Sequence, residues 1–72
     1  MITTFDEPDH PELPGWRIQV AIFDYGRFAG VAICKQGRPR FAARTFYQDG
    51  VEHNHLIEAA LPALKKFAGD NS

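Results

Sequence analysis

The tightest constraint on this 72-residue chain is a pair of alternating apolar runs set almost end to end. In residues 16–23, Trp16, Ile18, Val20 and Ile22 point one way and Arg17, Gln19, Ala21 and Phe23 the other. That period of two is the signature of a half-buried strand. Asp24-Tyr25-Gly26 follows, and a second run occupies residues 28–35 around Gly30-Val31-Ala32-Ile33. So tight a connection predicts an antiparallel hairpin, with Gly26 free to take positive φ.

The rest of the chain must pack on that hairpin. Gln36-Gly37 reads as the next turn, and residues 39–47 as a third strand. Phe41, Ala43, Thr45 and Tyr47 share one side of it, and Arg40, Ala42, Arg44 and Phe46 the other. Pro39 suits a strand entry or an edge. After Asp49-Gly50 the period lengthens, with Leu56, Ile57, Ala60, Leu61, Leu64, Phe67 and Ala68 falling on one helical stripe. This predicts a single helix over about residues 51–68, with Lys65 and Lys66 in its last turns and Gly69 as its stop. Pro62 is discordant, because proline inside a helix costs roughly 3 kcal/mol and kinks or breaks the rod. Residues 1–15 hold Pro8, Pro11 and Pro14 among acids and predict an extended acidic arm, ordered only if docked. The expected fold class is α+β: a three-stranded antiparallel sheet with one C-terminal helix (β-β-β-α) over residues 16–69, and a tail at 70–72.

A chain this short buries only about 60% of its surface on folding, so its stability is marginal without a metal, disulfides or a partner. Cys34, the one cysteine, cannot form an internal disulfide, which fits a reducing compartment. The first residues lack a basic stretch leading into an apolar one, and no apolar run approaches the roughly 20 residues of a membrane helix. A cytoplasmic protein with no membrane association is expected. The net charge of −1 conceals strong segregation. Asp6, Glu7, Asp9 and Glu12 make residues 1–15 acidic. Arg17, Arg27, Lys35, Arg38, Arg40 and Arg44 against Asp24 make the middle basic, and residues 49–72 turn acidic again. Such a middle attracts a polyanion or the chain's own acidic ends.

The two sheet faces differ in kind. One has the bulk to receive the helix: Trp16, Ile18, Val20, Ile22, Ala29, Val31, Ile33, Phe41 and Tyr47. The other carries Ala21, Gly30, Ala32, Cys34 and Ala42, with Arg17, Phe23, Arg40, Arg44 and Phe46 around them. A solvated face normally carries Thr, Lys and Glu, so small residues with aromatics at the margin predict a surface on which something packs. Ala21, Phe23, Gly30, Ala32, Cys34, Ala42 and Phe46 are therefore the candidate protein-interface residues.

Asp24-Tyr25-Gly26-Arg27, followed by Gly30-Val31-Ala32-Ile33, resembles the first hairpin of the RuvC and YqgF (Holliday-junction resolvase-like) branch of the ribonuclease-H fold. The resemblance covers residues 18–68 and rests on Asp24, Gly26, Gly30 and the apolar pattern. It implies three antiparallel strands leading into a helix, with the strand-end Asp as a metal-binding catalytic carboxylate. The spacing from Asp24 to Gly30 is one residue shorter than that family shows, and no later strand supplies further acids. Two-metal hydrolysis needs several carboxylates to hold ions about 4 Å apart, so Asp24 by itself implies a degenerate site or one completed across a dimer. The same outline is similar, in architecture only, to the partial ribonuclease-H fold of HicB-type antitoxins, which bind a toxin and dimerise.

Other candidate chemistry is sparse. His53-Asn54-His55, with Asp49, Glu52 and His10, has metal-ligating residue types, but positions i and i+2 of a helix do not face each other. Helix-start polarity, with Asn54 or Asp49 as cap, accounts for the cluster, and no metal or other cofactor is expected. Lys35, Arg38, Arg40 and Arg44, interleaved with Phe41, Phe46 and Tyr47, are candidate nucleic-acid-binding residues for phosphate contact and base stacking. Cys34 has no histidine placed to activate it and reads as a small apolar residue. The function expected is therefore non-catalytic protein binding, as a homodimer or as a subunit or inhibitor docked on a larger protein. A nucleic-acid-binding regulator is the second reading and a metal-dependent nuclease the third.

Overall fold

The computed structural model describes residues 2–23, 27–48 and 50–72. Within them the chain forms β1 (Thr3–Glu7), β2 (Arg17–Phe23), β3 (Phe28–Cys34), β4 (Phe41–Phe46) and α1 (His53–Asp70). The strands make one antiparallel sheet in the order β1-β2-β3-β4, an up-and-down meander. The expected α+β class, antiparallel sheet and C-terminal helix are present, but the sheet has four strands rather than three. The additional strand comes from the segment read as an extended arm. Thr3 and Thr4 are β-branched and Phe5 is aromatic, which suits a pleated surface. Pairing runs from Thr3 opposite Ile22 to Glu7 opposite Ile18. Pro8 then ends the strand, since proline cannot donate to the ladder.

Between β1 and β2 the chain turns back through two backbone hydrogen bonds, Leu13 N–H to His10 O (3.0 Å) and Trp16 N–H to Leu13 O (3.1 Å). Gly15 takes φ +82°, a conformation that L side chains rarely adopt, and so permits the reversal just ahead of Trp16. This turn drops Leu13, at 0% exposure, into the core with Trp16. The sheet contributes Ile18, Val20, Ala29, Val31 and Ile33 to that core, and α1 contributes Leu56, Ile57, Ala60, Leu61, Leu64 and Ala68. Phe67 seals one end, its ring stacked on Phe41 at 4.7 Å and meeting Trp16 edge-on at 5.9 Å.

Three polar contacts join the acidic segment to α1. His53 Nδ1 meets Glu7 Oε2 at 2.8 Å, His10 Nε2 meets Glu58 Oε2 at 2.8 Å, and Lys65 donates to Glu12 Oε1 at 2.7 Å. The Glu12 backbone N–H donates to His10 Nδ1 at 3.0 Å. That bond holds the ring as the Nε2–H tautomer, so His10 donates to Glu58. The hydrogen bond from Lys65, and then its charge, hold the Glu12 carboxyl below the ordinary carboxylate range. The acidic segment therefore spends its charge on the helix and not on the basic strand.

The helix departs from expectation at both ends. It starts at His53, with Glu52 as N-cap and no side-chain cap bond; Asn54 is inside the first turn, and Asp49 lies outside the described residues. It runs through Gly69 to Asp70, because Asn71 closes it by donating from its backbone N–H and its Nδ2 to Phe67 O. Pro62 neither ends nor divides it. Proline there is exposed, so the helix bond it forfeits lies on the outer side, away from the sheet. Among the described residues no helix is long and apolar enough to cross a membrane.

Candidate docking face

Strand alternation and the ladder register decide which side chains share the face away from α1. β2 sends Arg17, Gln19, Ala21 and Phe23 there, β3 sends Phe28, Gly30, Ala32 and Cys34, and β4 sends Ala42, Arg44 and Phe46. Thr4 and Asp6 of β1 complete it, opposite Ala21 and Gln19. All seven candidate interface residues, Ala21, Phe23, Gly30, Ala32, Cys34, Ala42 and Phe46, thus fall on one surface.

The register arranges them in rows across the strands. Phe23 pairs with Phe28 and Phe28 with Phe46, which builds an aromatic ridge at one end. Ring centroids are 6.0 and 5.3 Å apart and the planes 21° and 30° from parallel, so the rings stack on one another rather than lying flat on the sheet. Phe46 ends the ridge at the sheet edge, 80% exposed. Ile2, 67% exposed, lies beyond Phe23 on the β1 side. Two rows follow, Ala21 beside Gly30 with Arg44 at the β4 end, and Ala32 beside Ala42 with Gln19 on β2. At the far end stand Arg17, the half-buried Cys34 and Arg40. Between ridge and cations is an open depression of ≈ 380 Å³, floored by Ala21, Gly30, Ala32 and Ala42.

Charge on this face is one-sided. Among the described residues Arg17, Arg40 and Arg44 have no carboxylate within ion-pair distance. The Arg44 guanidinium sits 5.3 Å from the centre of the Phe28 ring, a cation–π contact. Among the described residues Asp6 is the one acid there, and its Oδ1 accepts from Gln19 Nε2 at 2.8 Å.

The four candidate nucleic-acid contacts do not converge. Arg40 and Arg44 stand on this face, but Lys35 extends over the Trp16 ring at 5.7 Å. Arg38 donates from Nε to Asn71 O at 2.7 Å and from Nη1 to Gly37 O at 3.3 Å, tying the second turn to the end of α1. Sequence reasoning left Phe28 off the face, although its place two residues before Gly30 puts it in the same alternation and opposite Phe23. Asp24, Tyr25 and Gly26, which carry the nuclease-like resemblance, lie outside the described residues. Among the described residues no three His, Cys, Asp or Glu side chains come together as metal ligands. His10 and His53 are instead paired with Glu58 and Glu7.

Comparison of the chain with protein-family models, with curated proteins and with solved structures finds no match to any of them.

Proposed function

We propose that the protein is a small non-catalytic binding module that works through the helix-free face of its sheet and takes up a protein partner there, either a larger protein or a second copy. The carrying observation is the asymmetry of the sheet. α1 lies against β3 and β4 on one side, while the other presents the small residues Ala21, Gly30, Ala32 and Ala42 beside an aromatic ridge whose edge ring, Phe46, is exposed. A solvated antiparallel face ordinarily alternates to polar residues, whereas β3 presents Phe28, Gly30, Ala32 and Cys34 on this side.

The test is a block of the floor. Ala42 is exposed, so Ala42→Arg adds bulk and charge to the face without entering the core. Sedimentation velocity over a hundredfold concentration range reads self-association, and amide chemical shifts during titration with a synthetic amphipathic helical peptide read docking of a foreign chain. Association that Ala42→Arg abolishes, with the melting temperature unchanged, is the expected result. Association that survives the substitution refutes the assignment of the face.

Arg17, Arg40 and Arg44 on a common surface favour a second reading, a single-stranded nucleic acid held by its phosphates. The geometry supports it less, because Phe28 is stacked between Phe23 and Phe46 with Arg44 over it, and Lys35 and Arg38 are turned to Trp16 and Asn71. Salt-dependent retention on oligothymidylate resin, lost in Arg40→Glu, would restore it.

A further inference from the structure

We infer that the occupant of this face is an amphipathic helix of another protein, laid across the strands with its apolar stripe on the floor and acidic residues along one flank facing Arg17 and Arg40. This rests on the docking reading above and specifies its partner.

The depression has the dimensions of a helix. Phe23 and Arg17, Phe28 and Cys34, and Phe46 and Arg40 are each six positions apart along their strands, which sets ridge and cations about 20 Å from each other. A helix with its side chains is about 10–12 Å across, and so lies between them with room for flanking side chains on both sides. In the other direction, four strands at about 4.8 Å spacing span roughly 14 Å, the rise of about ten helical residues.

The floor selects a helix over a second sheet. Sheets pack about 10 Å apart with interdigitating side chains on both inner faces, and Ala21, Gly30, Ala32 and Ala42 offer nothing beyond Cβ to fill that gap, which leaves Gln19 and Arg44 as the long side chains of the same two rows. The curved surface of a helix enters such a floor.

Charge then sets the sign of the flank. Arg17 on β2 and Arg40 beside β4 are two strands apart, about 10 Å. Carboxylates at i and i+7 of a helix, about 10.5 Å apart, match that span. A second copy is the weaker occupant, since a face-to-face pair brings Arg17, Arg40 and Arg44 of both chains into one interface with only Asp6 to offset them. The chain's own acids at Glu7, Glu12 and Glu58 are engaged elsewhere.

The probe is a synthetic 18-residue helical peptide with a Leu/Ala stripe and Glu at i and i+7 on one flank. Its controls are a twin with Lys at those positions, a twelve-residue oligothymidylate, and the protein alone at two concentrations. Amide shifts of Ala21, Gly30, Ala32 and Ala42 report occupancy. The Glu peptide is expected to shift them and the Lys peptide not, with Arg40→Glu weakening the Glu peptide about fivefold and admitting the Lys peptide. Equal binding of the two peptides, shifts with oligothymidylate alone, or shifts on self-association alone would overturn the acidic helix while leaving the docking face standing. Failure of every arm to shift these amides overturns both.

Discussion

Leu13 offers the most exposed test of how this chain holds together, because it lies in a segment whose composition argues against any core residue. Its side chain is 0% exposed and joins a cluster fed by both the sheet and α1. Truncation to alanine removes that apolar volume and leaves a cavity, which for a buried leucine costs about 2–5 kcal/mol. A 72-residue domain has about 4–11 kcal/mol of stability at 0.05–0.15 kcal/mol per residue. Leu13→Ala therefore removes between about a fifth and all of it. Equilibrium urea unfolding measures the loss. With a slope near 1 kcal/mol/M, the midpoint falls by about 2 M or more. Ile2→Ala is the control, since Ile2 is two-thirds exposed and its truncation belongs within about 0.5 kcal/mol of the parent. If Leu13→Ala proves too unstable to fold, Leu13→Val, at about 1 kcal/mol, decides the matter. Equal costs at Leu13 and Ile2 would mean that the N-terminal segment is not part of the core, and the packing described here would be refuted.

Further outcomes follow from single positions. Pro62→Ala restores a helix bond at an exposed site and should raise stability by about 1–3 kcal/mol, part of the gain being offset in the unfolded chain; thermal melting that is unchanged or lowered contradicts the continuous helix. Two glycines should answer in opposite directions to alanine. At Gly30 a Cβ meets Phe23 and Ala43 only at ordinary contact distance, so Gly30→Ala should gain about 0.5 kcal/mol. Gly15→Ala at φ +82° should lose about 1 kcal/mol, and chemical denaturation separates the two. The Lys65 contact depresses the Glu12 carboxyl, so its contribution is present above the ordinary carboxylate range and fades as pH falls through the lowered value. Glu12→Gln should flatten that part of the acid-side stability profile, and a profile unchanged by Glu12→Gln rejects the pairing.

What was legible in the sequence was whatever had a local period. Alternation placed β2, β3 and β4 within a residue or two and assigned their faces, and the 56, 57, 60, 61, 64, 68 stripe placed α1. β1 was not legible because its signal, Thr3-Thr4-Phe5, is short and sits among acids and prolines. Its reasons for order are long-range: the ladder to β2, Gln19 on Asp6, and His53 on Glu7. Leu13 stands alone between Glu12 and Pro14, and a single apolar residue has no period to read. Gly69 misled as a helix stop because Asn71, two residues on, satisfies the last carbonyls. The face was legible as small residues and aromatics, but the stacking of its ridge depends on the register of three strands, which sequence leaves to the turns.

In the meander, β2 and β3 have a hydrogen-bonded neighbour on both sides, whereas β1 and β4 each have one. Native-state amide exchange should consequently be graded, slowest in the central pair and fastest at the two edges, where opening breaks one ladder instead of two. β4 is one of those edges and carries Ala42, Arg44 and Phe46. Two of the seven interface residues, Ala42 and Phe46, therefore stand on one of the two strands that open most readily. Arrival of a partner should register first as slowed exchange along β4, with β2 already near its limit.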